Sequence, residues 1–268
     1  MEDLKLHIKN IRKNILTMIA NANSGHPGGS LGAADILGVL YFEEMNINEA
    51  NANSLDRDKF VLSKGHAAPV LYATLFEKGI YKGDLNTFRC INSKLQGHPN
   101  MNYVEGVDMS TGSLGQGISA AVGMAMANKL SKNENRVYTL LGDGECNEGQ
   151  VWEAAMAAAH YKLDNLCAIL DYNGLQIDGD TVEVMDSSPL DKKFEAFNWN
   201  VIKIDGNDLD QIREAFKQAK EVKGKPTLIF AKTVKGKGVS FMENNAAWHG
   251  VAPNKEELEK ALKEVEEA

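Results

Sequence analysis

The chain has 268 residues, 43% of them hydrophobic and 25% charged, which is ample to bury an extended core and lies outside the range of disordered chains. No stretch approaches the roughly 18 uninterrupted apolar residues that a membrane span needs. Lys and Arg number 29 against 37 Asp and Glu, a formal charge of −8, so nucleic acid and anionic lipid are repelled in bulk and any anionic ligand must be held by local chemistry.

The N-terminus interleaves Lys and Arg with apolar residues and lacks the apolar region and cleavage site of a signal peptide, which predicts mature sequence in a cytoplasmic protein. Ile8, Ile11, Ile15, Met18 and Ile19 recur at three and four, the spacing of one helix face, and turn residues 21–25 end that helix. A second helix is expected over residues 33–45. Short runs rich in β-branched residues follow at 60–62, 137–141, 166–170, 201–204 and 227–231, and they read as strands. Between them, residues 116–130, 150–163 and 209–222 read as helices, and the charged C-terminal segment as an amphipathic helix. Strands without polar alternation, separated by helices, predict an α/β fold with a parallel β-sheet sandwiched by helices. Without repeats, low-complexity segments or a Pro- or Ser-rich linker, a single domain over residues 1–268 is expected. Cys90, Cys146 and Cys167 are odd in number and form no close pair, which predicts reduced thiols rather than a disulfide framework or a zinc site.

Each strand run hands over to a polar, glycine-containing turn: Ser63-Lys64-Gly65-His66, Gly142-Asp143-Gly144, Asp171-Tyr172-Asn173-Gly174, Asp205-Gly206-Asn207-Asp208, and residues 232–238. In open parallel sheets that edge is where ligands bind. Ordinary turn chemistry explains the glycines better than it explains the histidines. Three of the six histidines, His26, His66 and His98, directly follow glycine and His249 precedes one, where 24 glycines among 268 residues would give fewer than one Gly-His pair by chance. Their spacing is not that of a metal-binding helix, and neutral imidazoles serving a polar substrate are the better use. His7 and His160 fall inside helical patterns and read as structural.

Asp143 and Asn173 both stand just past strands, so a carboxylate and an amide oxygen come to neighbouring strand ends. The backbone carbonyl of Leu175 could add a third oxygen around a hard divalent cation such as Mg²⁺. Two commoner phosphate motifs fail. Residues 112–119 carry the glycine spacing of a P-loop, but Ile118 stands where its lysine must be. Gly142-x-Gly144 continues with Asn147 at the third glycine position of a dinucleotide fingerprint.

The motifs Ser24-Gly25-His26-Pro27-Gly28, Leu62-Ser63-Lys64-Gly65-His66-Ala67, Gly97-His98-Pro99, Thr111 to Gly117, Gly142 to Gly149, Asp171 to Asn173, Lys232 to Gly238 and Trp248-His249-Gly250 occur in one order. Together they resemble the N-terminal, diphosphate-binding portion of transketolase over nearly the whole chain, and in particular the separate N-terminal subunit of the enzyme encoded in two pieces. The resemblance implies thiamine diphosphate as cofactor with Mg²⁺ or Ca²⁺, the metal held by Asp143, Asn173 and the Leu175 carbonyl. It implies cofactor contacts at His66, Gly112, Leu114, Gly144, Glu145, Asn173 and His249. His26 and His98 match residues that hydrogen-bond the hydroxyls of a two-carbon sugar unit, and Glu148 and Glu153 match carboxylates that face the partner subunit. Ser113 stands where proline is common in single-chain enzymes.

The pyrimidine-binding half of such a site, with its activating glutamate and the residues that read a sugar phosphate, is not expected within this chain. The resemblance therefore implies a complementary C-terminal subunit, sugar-phosphate substrates, a place in the pentose phosphate pathway, and a two-plus-two heterotetramer. Two other functions stay open: the diphosphate-binding subunit of a synthase or decarboxylase using the same cofactor, and a non-catalytic relative that keeps the fold. The small residues of the helix over 116–130 suit either an interface between subunits or its own sheet.

Overall fold

The structure, a computed structural model, describes residues 2–177 and 179–267. In chain order, α1 (Glu2–Ala22), α2 (Pro27–Gly32) and α3 (Ala34–Val39) precede β1 (Lys59–Leu62), and α4 (Ala68–Glu77) follows it. Then come α5 (Gln116–Leu130), β2 (Val137–Gly142), α6 (Gly149–His160), β3 (Leu166–Tyr172), and a hairpin of β4 (Leu175–Gln176) and β5 (Gly179–Asp180). The chain continues through α7 (Thr181–Val184), α8 (Leu190–Ala196), β6 (Asn200–Asp205), α9 (Leu209–Glu221), β7 (Thr227–Lys232) and α10 (Lys255–Glu267).

Five strands form a parallel sheet in the order β1-β2-β3-β7-β6. Its register aligns the strand ends: Gly142 pairs with Asp171, and Lys232 with both Tyr172 and Asp205. Every turn that follows a strand is thereby delivered to one edge. Side chains alternate between faces as the pleat requires. Phe60, Leu62, Tyr138, Leu140, Cys167, Ile169 and Ile229 join a core with α1, α3, α4 and α9, while Val61, Val137, Leu141, Leu166, Ala168, Leu170 and Leu228 join a second core with α5, α6 and α8. Burial of each such Leu or Ile contributes about 1.5–3 kcal/mol.

The strand runs lie where the β-branched residues predict them, and both faces of the sheet are covered. Besides α7 and α8, which the sequence reading does not anticipate, the helices depart in three places. The expected helix over 33–45 begins earlier, at Pro27, because proline suits the first helical turn, and it runs through α2 and α3 into a π turn at Leu40–Glu44. His26 is consequently the N-cap of α2 rather than part of a free turn. The second departure is α4, whose residues 68–75 are all buried and so show no polar face to betray a helix.

In the third, the small residues of α5 divide between its two faces. Gly117, Ala121 and Ala125 are buried, and a Cβ on Gly117 would come within 2.6 Å of the Ser63 Cα, so these serve the helix's own sheet. Gly123 and Ala127 face outward with Leu130, which is 82% exposed. Cys146 and Cys167 are buried, Cys90 is exposed, and all three are free thiols. Among the described residues no helix is long and apolar enough to cross a membrane.

Candidate functional site

Loops from distant parts of the chain converge at the C-terminal edge of the sheet. His26, His66 and His249 form a triangle with ring centroids 5.2, 5.3 and 5.4 Å apart. Burial lowers all three side-chain pKa values, and nearby positive groups lower them further. His26 is brought down to about 4, with Arg89 the leading neighbour, and His249 to about 3, with Lys235 leading. His66 falls well below its ordinary value, with Lys64 the leading neighbour. The rings are therefore neutral at pH 7, each with one donor and one acceptor nitrogen.

Lys235 reaches into this triangle. Its Nζ lies 2.9 Å from His249 Nδ1 and 3.4 Å from the Leu175 carbonyl oxygen. An ammonium only donates, so Nδ1 accepts and the His249 proton resides on Nε2, available to an incoming oxygen. Burial, then Lys64, lowers the Lys235 pKa to about 8, which leaves it mostly charged at neutral pH. Lys64 is buried in an ion pair with Asp171 and also donates to the Gly29 carbonyl at 3.1 Å. Thr233 Oγ1 donates to the other Asp171 oxygen.

Asp143 is 2% exposed. Its Oδ1 accepts from the Gly144 N–H at 2.8 Å and its Oδ2 from the Gly174 N–H at 2.6 Å. Burial, then the neighbouring Asp171 carboxylate, raises its pKa to about 6 against those two bonds. Asn173 Oδ1 accepts from the Leu175 N–H at 3.1 Å, so Asp143, Asn173 and Leu175 are tied through one turn. Three hard oxygens with spare lone pairs, one of them a carboxylate short of positive charge, fit Mg²⁺ or Ca²⁺.

The remaining predicted residues divide. Gly144 lines the same turn. Gly112 lies against Gly65, where an added Cβ on Gly65 would stand 2.7 Å from the Gly112 nitrogen; only glycine lets the β1 turn and the 111–115 loop meet. Leu114 is half-buried beside them. His98 lies on an exposed loop beside the triangle, close enough to help lower the His26 pKa, with its ring 3.1 Å from where a Cβ on Gly112 would stand and its carbonyl accepting from Tyr72 Oη at 3.1 Å.

Glu145 points inward. Its carboxylate accepts from Ser63 Oγ at 2.5 Å, Gly115 N–H at 2.8 Å and Gly142 N–H at 3.0 Å, so this side chain faces the scaffold that carries the turn. Glu148 and Glu153 are exposed at and near the start of α6 and carry no side-chain hydrogen bond among the described residues.

Sequence reasoning misses Lys64 and Lys235 as individual site residues. The available signal is a lysine within five residues of the end of a buried strand, flanked by Gly, Ser or Thr. A separate recess of about 770 Å³ is lined by Arg12, Arg213 and Lys237, but their charges are already met: Arg12 by Asp35 at 2.6 Å, Arg213 by Glu43 at 2.6 Å and Lys237 by Glu243 at 3.5 Å. Three neutral imidazoles, a buried ammonium and three oxygens with spare lone pairs leave the sheet edge, unlike that recess, with donors, charge and acceptors still unmet.

Comparison with known proteins places this arrangement. The family model described as "Transketolase, thiamine diphosphate binding domain" matches residues 4–265. The chain is 46% identical to the 6-deoxy-6-sulfo-D-fructose transketolase subunit SqwG of Clostridium sp. (strain MSTE9), covering 98% of this chain and 96% of that one. It is 42% identical to an apulose-4-phosphate transketolase subunit of Phocaeicola vulgatus, covering 100% and 95%. Among solved structures, the transketolase of Campylobacter jejuni superposes with a TM-score of 0.92 at 38% identity, over 99% of this chain but 43% of that one, so the chain spans about two fifths of the longer enzyme. This chain belongs to the transketolase family, as its N-terminal, thiamine diphosphate-binding part.

Proposed function

We propose that the chain is one diphosphate-binding unit that acts with a separate complementary subunit to transfer a two-carbon ketol group from a ketose phosphate to an aldose phosphate. The observation that carries this reading is the meeting of the neutral histidine triangle and Lys235 with Asp143, Asn173 and the Leu175 carbonyl at one sheet edge. Asp143, Asn173 and Leu175 would hold Mg²⁺ or Ca²⁺ against the diphosphate. His66, the Gly144 N–H, Lys235 and His249 Nε2–H would supply the donors and positive charge that an acidic chain needs to retain that anion. Thiamine diphosphate, when bound, supplies the electron sink that C–C cleavage requires.

The protein's own share is placement and proton handling. Gly112 and Leu114 would lie beside the cofactor rings. His26 and His98, uncharged at pH 7, offer hydrogen bonds to donor-sugar hydroxyls without adding charge at the reacting centre. Glu145 acts through others, fixing the ends of β1 and β2 against the 111–115 loop. Glu148 and Glu153, exposed and unbonded, suit the junction with the complementary chain, in an assembly of two copies of each. The two subunit relatives are named for a sulfonated and a phosphorylated sugar, so a substrate with an anionic tail is favoured over pyruvate.

Mixing the chain with its complementary subunit, thiamine diphosphate and Mg²⁺ tests the reading: ketose-phosphate-dependent transfer should arise only in the complete mixture. His26→Ala and His98→Ala should chiefly lower turnover, while His66→Ala and His249→Ala should weaken cofactor retention by about 1–3 kcal/mol and be rescued by saturating cofactor. Equal rescue of all four variants would refute this division of roles, and full activity from this chain alone would refute the two-subunit reading.

A further inference from the structure

Lys235 carries a charge that the protein leaves unanswered. It is 2% exposed, and among the described residues it makes no ion pair, whereas Lys64, buried as deeply, is matched by Asp171. Two of its three N–H groups have partners, His249 Nδ1 and the Leu175 carbonyl, and both partners are neutral. The stem is fixed as well. A Cβ on Gly28 would lie 3.0 Å from Lys235 Cγ and 3.2 Å from Cε, so the start of α2 closes over the side chain and keeps the ammonium in place.

The Leu175 carbonyl is also the third of the oxygens proposed for the divalent cation. Without a diphosphate, the metal would share that oxygen with an ammonium in a desolvated setting, where like charges repel strongly. Counting charges shows the consequence. Asp171 is paired with Lys64, while Asp143 and Lys235 stay unpaired and only sum to zero, so a divalent cation arriving alone leaves the basin with an excess of two positive charges. A diphosphate arriving with the metal removes that excess and gives the ammonium the anion it lacks.

We propose that Lys235 makes metal binding conditional on diphosphate: held on the Leu175 carbonyl by Gly28 and His249, it turns away a lone divalent cation and admits the metal together with the anion. This rests on the reading of Asp143, Asn173 and Leu175 as the metal ligands. It goes beyond the shared coordination shell, because it assigns the coupling to one side chain of this chain and requires that side chain's removal to improve one binding reaction while impairing another.

Equilibrium dialysis of the chain assembled with its complementary subunit against Mn²⁺, with and without thiamine diphosphate at equal concentration in both chambers, tests the proposal. Wild type should retain Mn²⁺ with thiamine diphosphate and scarcely without it. Lys235→Met and Lys235→Gln should each bind Mn²⁺ alone at least about tenfold more tightly than wild type, while their retention of thiamine diphosphate falls by a similar factor. Lys235→Arg, which keeps the charge, should stay conditional like wild type. A residue that merely supports the fold would not improve metal binding when removed, and two neutral variants guard against a single misfolded one. If wild type retains Mn²⁺ with the cofactor but neither neutral variant binds Mn²⁺ alone more tightly, the Lys235 proposal is overturned and the metal site stands. If wild type retains no Mn²⁺ under either condition, or Asp143→Ala retains it unchanged, the metal-site reading fails and this inference with it.

Discussion

Two knots of buried polar groups meet at the same sheet edge and are built in opposite ways. Around Glu145 and Asp171 the partners are complete: Glu145 accepts from three donors on three segments, and Asp171 accepts from Lys64 and Thr233. Around His26, His249, Lys235 and Asp143 they are not. His26 Nδ1 is buried without a partner, Lys235 lacks a counter-ion among the described residues, and Asp143 is a buried carboxylate pushed up to about 6. Buried polar groups are normally satisfied, because each unmade hydrogen bond costs on the order of 1–3 kcal/mol. The first knot holds loops in register, and the second holds unmet donors and charge in reserve for a ligand.

Breaking the first knot should give the largest effects. Asp171→Ala leaves the Lys64 ammonium buried and unpaired, and urea unfolding should show a loss of about 3–5 kcal/mol. A loss below about 1 kcal/mol would mean that this pair does not secure the sheet edge. Glu145→Gln should cost less, about 1–3 kcal/mol, since one amide oxygen cannot replace two carboxylate oxygens and the new NH₂ must face the Gly115 or Gly142 N–H. The same denaturation series measures it, and an unchanged midpoint would place Glu145 outside the scaffold.

The second knot should respond more weakly. Asp143→Asn removes a buried charge but turns an NH₂ towards the Gly144 or Gly174 N–H, so the two effects oppose and the cofactor-free chain should lose less stability at pH 7 than with Glu145→Gln, about 1 kcal/mol or less, even as metal-dependent cofactor uptake is lost. The pH response sharpens this. For His26 and His249, with folded values of about 4 and about 3 below the ordinary 6.5, the stabilising contribution is complete above pH 6.5 and is lost as pH falls towards the folded values. His66 acts in the same sense. Asp143 opposes them: with its value raised from 3.8 to about 6, its contribution is present below pH 3.8 and lost as pH rises through 6. Three groups outweigh one, so the free chain should lose stability between pH 7 and pH 5. Asp143→Asn should steepen that loss and His249→Gln should flatten it, as thermal melts across that range would report.

The smallest effect on folding should come from the α6 flank. Glu153→Ala, at an exposed position without hydrogen bonds, should alter stability by less than about 0.5 kcal/mol while weakening association with the complementary chain. Analytical ultracentrifugation of the mixture separates the two, and unchanged association would remove Glu153 from the interface.

The five strands of the sheet were legible as short β-branched runs bounded by turn residues, and α1, α9 and α10 because one face of each is apolar at a helical period. The α4 helix was not, since residues 68–75 are buried on every side and such a run carries no period. The site was legible where a residue is unusual for its place: a histidine beside glycine, or an Asp and an Asn just past strands. It was illegible where the direction of a side chain decides the role. Glu145 sits two residues from Asp143 in one motif, yet it turns into the protein to serve Ser63 and Gly115, residues 82 and 30 positions away.

Local sequence determined which segments could become strands and which turns could carry oxygen ligands, because pleat and helix periods and turn chemistry act over a few residues. Which groups would be left without partners was decided only when the strands aligned. Register set Gly142 beside Asp171 and brought the turns after β1, β2, β3 and β7 to one edge. Lys64 thereby met a carboxylate, while Lys235 met only a carbonyl and an imidazole. Charge in a desolvated place depends on every neighbour within a few ångströms, and those neighbours come from segments far apart in the chain.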